Sequence, residues 1–273
     1  AIGGSTANGG ALTLEAPIAS SFNATLAGAF TASLEDGDEN SFNNDIAIWS
    51  VDSSSNATLI AKTGDTAPDS SDTFLSFGKP AVDSDGDVYF WSNLLTENEA
   101  EGLYQFSDGS LATLASTTQA IDVFGTPRTY SEFLDPVVNG AGDLAVLATE
   151  VLGDLQTILH RDSSGVWSIV AQTDMQAPGA QSGVTFNILS SPHLNGNGQV
   201  AFQASLSGSG DSISDTTDTG AWATDSNGFL ALVARAGDTI EVRPSFPATI
   251  KSATISGFNT ANQIALNYSF TNG

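Results

Sequence analysis

The sequence predicts an all-β fold, a β-propeller of about five four-stranded blades. Three observations carry this expectation. A turn-and-strand motif recurs at nearly constant spacing, short apolar–polar alternations follow each copy, and no stretch shows the 3.6-residue period of a helix.

The motif is clearest at Asn195-Gly196-Asn197-Gly198-Gln199-Val200-Ala201-Phe202. Relatives begin at Asn139 and Asp83, a diverged copy at Asn23 and a last one at Asn259. The steps between lead residues are 60, 56, 56 and 64, and Pro80, Pro136 and Pro192 each stand three residues before a lead residue. Asn and Gly tolerate positive φ, so the motif reads as a turn feeding a strand rather than a phosphate loop, which would need a helix behind it.

The rest of each unit aligns as well. A second strand follows at "IAIW" (46–49), "GLY" (102–104), "IL" (158–159) and "GAW" (220–222). After a polar turn comes a third, at "ATLIA" (57–61), "LATLA" (111–115), "WSIVA" (167–171) and "LALVA" (230–234). The fourth strand, expected to close the same unit, is "FLSF" (74–77), "YSEFL" (130–134), "FNIL" (186–189) and "ATISGF" (253–258). Four short strands in ~60 residues describe an antiparallel meander, the unit of a propeller blade. At the start of the chain, "NGGALTLEA" (8–16) matches "SNGFLALVA" (226–234). The expectation is therefore a single domain over 1–273 in which 1–22 completes the last blade, so that the fifth blade is built from both termini. The alternative is an open polymer in which the terminal strand completes a neighbour's blade.

Composition narrows the function classes. The 273 residues hold 31 Asp and Glu against 7 Lys and Arg, a formal charge of −24, and no Cys. Such a surface repels nucleic-acid backbones and anionic lipid. Disulfides, thiolate metal sites and Cys nucleophiles are excluded. No apolar run approaches the roughly 18 residues of a membrane span, and no leader or anchor pattern lies within these residues, so membrane insertion is not expected.

The pattern N-x-x-G-x-(V/L)-A-F, then G-(I/A)-W, then L-x-L-V-A-R-x-G-D resembles the secreted bacterial tandem repeats of the NxxGxxAF, choice-of-anchor type. Repeat four carries it best, in Asn195, Gly198, Ala201, Phe202, Gly220, Trp222, Leu230, Leu232, Val233, Ala234, Arg235, Gly237 and Asp238. The resemblance implies an exported surface or matrix protein and brings no catalytic residues with it.

No cofactor motif stands out. The loops between first and second strands are rich in carboxylates, and oxygen-rich loops suit Ca²⁺. The candidate ligands are Glu35, Asp36, Asp38, Asp211, Asp215 and Asp218; a solvated acidic rim is the competing reading. Asp83-Ser84-Asp85-Gly86-Asp87 resembles the front of a calcium loop but occupies the turn of the repeat. His160 and His193 form no zinc or triad pattern. Trp49, Tyr104 and Trp222 share one repeat position and read as core, whereas Trp91, aligned with Leu147 and Gln203, is the aromatic free to stack on a ligand. The function expected from these features is a non-catalytic extracellular surface, matrix or filament protein, not an enzyme. Its partners would be other copies of itself or an extracellular glycan. The alternative is a carbohydrate-binding or carbohydrate-active propeller using rim carboxylates.

Overall fold

A computed structural model describes residues 4–5, 11–23, 27–35, 46–95, 100–208, 213 and 218–271. Among them there is no helix. The fold is all-β and propeller-like, built of repeated antiparallel meanders, and divides into two compact units, Ala1–Asp143 and Leu144–Gly273.

The first unit opens with β1 (Gly4–Ser5), β2 (Ala11–Phe22), β3 (Gly28–Glu35), β4 (Ile46–Val51) and β5 (Ala57–Lys62), hydrogen-bonded in that order. Its second sheet holds β6 (Thr73–Phe77) and β7 (Ala81–Val82), both paired to β8 (Val88–Leu95), then β9 (Glu101–Ser107) and β10 (Ser110–Ser116). A hairpin of β11 (Ile121–Val123) and β12 (Thr126–Arg128) follows, with β13 (Tyr130–Phe133) and β14 (Val137–Val138) ending the unit. The second unit begins with the meander β15 (Leu144–Glu150), β16 (Leu155–Arg161) and β17 (Trp167–Gln172). Next come β18 (Thr185–Leu189) and β19 (His193–Leu194), both paired to β20 (Val200–Ser207), then β21 (Thr219–Thr224) and β22 (Leu230–Arg235). The last sheet is β23 (Thr239–Arg243), β24 (Phe246–Phe258) and β25 (Ile264–Phe270).

Two details of the expected strand assignment are corrected. The "fourth" strand of each sequence unit joins the next sheet: Phe77 lies opposite Ser92, and Leu189 opposite Ala204. Residues 11–22 likewise belong to the first sheet, where Phe22 pairs with Gly28, and do not complete the last one. The reason is local. Ser21-Phe22 precedes lead residue Asn23 as Gly257-Phe258 precedes Asn259, and a strand ending in that turn folds back onto the strand immediately after it.

The turn explains the repeat. Asn195 Oδ1 accepts the amides of Asn197 (3.0 Å) and Gln199 (2.9 Å), and Asn139 and Asn259 accept the amides two and four residues on in the same way. Gly86, Gly142 and Gly198 take positive φ (93°, 82° and 77°), and in the last copy Asn262 does so at 59°, the left-handed geometry that Gly and Asn adopt at least cost. The Asn amide then reaches the neighbouring sheet. Asn23 Nδ2 donates to Asp83 O (2.6 Å), and Asn195 Nδ2 to Asn259 O (2.9 Å).

Three strands of a sheet join their side chains in a recurring aromatic triangle. Phe74, Phe90 and Tyr104 have centroids 5.1–6.4 Å apart, and Phe186, Phe202 and Trp222 5.0–6.2 Å. All six are fully buried, so the shared aromatic position is core. A bulge at Ile60, Leu114, Val170 and Val233 shifts the register of the third strand in every complete repeat, which is why the "L-V-A" pattern places two apolar residues in succession.

Asn195→Asp replaces a buried donor facing two acceptor oxygens, Gln199 Oε1 and Asn259 O, with a third acceptor. A urea titration at pH 7 is expected to show a loss of about 2–3 kcal/mol, with Asn195→Ala losing at least as much because it also gives up the two turn amides.

Candidate active site around Glu101

The sequence-derived candidates fare unequally. Asp36, Asp38, Asp211 and Asp215 lie outside the described residues, as does the Glu35 side chain. Asp218 is half-buried and its backbone carbonyl accepts the Leu206 amide. Among the described residues, no group of three His, Cys, Asp or Glu side chains is placed to hold a metal. Other acids are turn builders. Asp52, Asp162 and Asp225 each accept two backbone amides across the hairpin between second and third strands. Their carboxyls are held below the usual range, chiefly by the side-chain bonds from Asn56 and Ser164 at Asp52 and Asp162 and by the backbone amides at Asp225. Asp65 and Asp238 accept the amides of Lys62 and Arg235. The Asp83 carboxylate takes three amides of its own turn and the Tyr89 hydroxyl, the geometry of a repeat turn. Burial pushes its pKa up. His193 is pushed down by burial and stays neutral near pH 7.

Trp91 corrects the expectation of a free stacking ring. It is half-buried on β8, opposite Leu103, and its indole Nε1 donates to Glu101 Oε2 at 3.1 Å. The ring lies so close to Gly78 that a Cβ there would come within 2.7 Å of it and still closer to the Asp135 carboxylate. The chain spares that space with glycine.

Glu101 is the candidate group that sequence reading missed. It opens β9 opposite Asn93, and the same Oε2 that holds Trp91 accepts the Phe133 amide at 2.7 Å. Burial, the largest influence, raises its pKa; the two donated bonds oppose this and the nearby exposed Glu132 adds to it. The site thus gathers a partly desolvated carboxyl, a second carboxylate and an indole face, while Asp135 at its edge accepts the Lys79 amide at 2.7 Å. A raised acid beside an ionised one can donate a proton at a pH where ordinary carboxylates cannot.

The repeat reveals what is special about Glu101. In the second unit Gln156 stands at the same repeat position, and its Oε1 accepts the Leu189 amide at 2.9 Å. Phe133 and Leu189 are themselves equivalent, each six residues before a lead residue. The bond across the join is architectural in both places; the ionisable group is present in one.

A family model for a family of unknown function, DUF7453, matches residues 2–273. The chain belongs to that family. No curated protein sequence matches it. Among solved structures, this DUF7453 chain is similar to an oligogalacturonate lyase (13% identity, TM-score 0.48), covering 85% of the chain and 56% of the lyase. It is also similar to a GH43 β-1,3-galactosidase (7%, TM-score 0.38), covering 96% of each. A third is the GH93 α-L-arabinofuranosidase of Fusarium graminearum (10%, TM-score 0.39), covering 91% of the chain and 73% of that enzyme. The chain spans little more than half of the lyase. These counterparts are enzymes, against the expectation of a non-enzyme; at such identities and TM-scores they show the fold alone and assign this chain neither an activity nor a residue.

The Glu101 shift has a definite sign. A carboxyl whose folded pKa is raised contributes stability that is fully present below its unfolded pKa and lost as pH rises through the folded value. Glu101→Gln removes that loss while keeping an oxygen for Phe133. Its stability relative to the parent is expected to be near zero at pH 4 and positive by less than about 1 kcal/mol at pH 7, read from paired urea titrations.

Proposed function

We propose that this chain is a carbohydrate-active protein whose acid group is Glu101. The observation that carries the reading is the raised Glu101 carboxyl, fixed through one oxygen by the Trp91 indole and the Phe133 amide, with Glu132 beside it. Glycoside cleavage needs one protonated carboxyl to protonate the leaving oxygen and one ionised carboxylate to stabilise or attack the sugar. Burial keeps Glu101 protonated further up the pH scale, and exposed Glu132 is the second carboxyl beside it. Enzymes on sugars among the structurally similar proteins agree with this choice of substrate class. The resemblance to exported repeat proteins and the acidic, cysteine-free composition support an extracellular or cell-surface setting.

Gln156 makes the competing reading concrete, since it holds the same join with no acid at all. Glu101→Gln separates the two. Reducing-end release from a panel of neutral and acidic polysaccharides is expected to fall at least 100-fold in Glu101→Gln with the melting temperature unchanged. Equal activity in both proteins would reduce Glu101 to a strap, and a panel without turnover by the parent would remove the reading.

A further inference from the structure

The position filled by Trp91 and Glu101 in the first unit is open at one join of the second. On β20 and β21 the equivalents are Gln203, opposite Ala221, and Thr219, opposite Ser205. Facing them is Ala253, six residues before its lead residue as Phe133 is before Asn139. Three large side chains are thus replaced by an amide, a short hydroxyl and a methyl group. Thr219 does not span the join as Glu101 and Gln156 do. Gln203 does so from lower in the sheet, its Nε2 donating to Ala253 O and its Oε1 accepting the Ile255 amide, both at 3.2 Å. What remains is a groove of about 290 Å³.

We infer that this groove is a binding subsite for a single neutral sugar ring. Its volume lies at the low end of small-molecule pockets, roughly 300–1,000 Å³, which suits one ring. Ala204, Gly220 and Ala253 give it an apolar part that suits the C–H face of a pyranose. Around it stand the hydroxyls of Ser190, Ser205, Thr219 and Thr254 and the amide of Gln203, groups that can both donate and accept. No charged side chain lines it. In a chain of −24 an uncharged lining without a cation disfavours uronic acids, phosphates and sulfates, and selects a neutral ligand. The inference rests on the carbohydrate reading above for its ligand class, but not on Glu101.

The test is a ¹⁵N-HSQC titration with lactose, cellobiose and xylobiose, with digalacturonate as the anionic comparison. At least one neutral disaccharide is expected to shift the amides of Ser190, Gln203, Thr219 and Thr254 with a millimolar Kd, and digalacturonate to leave them unmoved. Thr254→Trp, at the exposed mouth, is expected to weaken the neutral ligand at least tenfold without changing the melting temperature. Gln203→Trp, which copies the residue the first unit uses, closes the groove from within and gives a second measurement. Shifts confined to other residues, binding indifferent to both variants, or preference for digalacturonate would overturn the assignment. The same titration in Glu101→Gln protein keeps the two ideas apart. Groove shifts without turnover by the parent on any polysaccharide leave the groove standing and remove the role of Glu101. Turnover with no groove shifts does the reverse.

Discussion

The fold depends on one side chain used repeatedly, the carboxamide that heads every repeat turn but the one at Asp83. Its oxygen gathers two amides of its own turn, and its nitrogen reaches forward, at Asn23 and Asn195, to the lead carbonyl of the next sheet. One planar group therefore fixes both the entry of a strand and the spacing of two sheets. A carboxylate can do only the first task. Asp83 shows the consequence. It keeps the turn, but the forward contact passes to the backbone, Ser84 N to Gly140 O at 3.3 Å, and its own charge is penalised by burial.

The same economy governs the opposite end of the strands. Glu101, Gln156 and Gln203 each send an oxygen to a backbone amide of the following sheet. That amide would otherwise be an unpaired buried donor, which costs more than the bond returns. Because any long side chain with an acceptor satisfies it, the position is free to vary in chemistry. A carboxyl there acquires an unusual acidity, and shortening its neighbours opens a groove. Sites arise as variations on a structural bond.

Much of the acidity of the chain is likewise structural. Asp52, Asp65, Asp162, Asp225 and Asp238 are acceptors for turn amides, and a carboxylate is the strongest such acceptor available. Composition counts carboxylates without showing which are already occupied by backbone N–H groups.

Read alone, the sequence determined the strands, their turns and the aromatic core. Each of these is local or periodic: a turn needs Asn and Gly at fixed offsets, and a buried strand needs apolar residues at alternate positions. Tertiary structure decided which sheet each strand joins, because the alternation in Thr73–Phe77 or Thr185–Leu189 is the same whichever neighbour supplies the hydrogen bonds. It also decided that Trp91 is tethered rather than free. Glu101, Gln156 and Thr219 each stand three residues before the shared position of Tyr104, Leu159 and Trp222, but only the structure shows that the first two face an amide across the join and the third does not. Sequence does not record what a side chain faces.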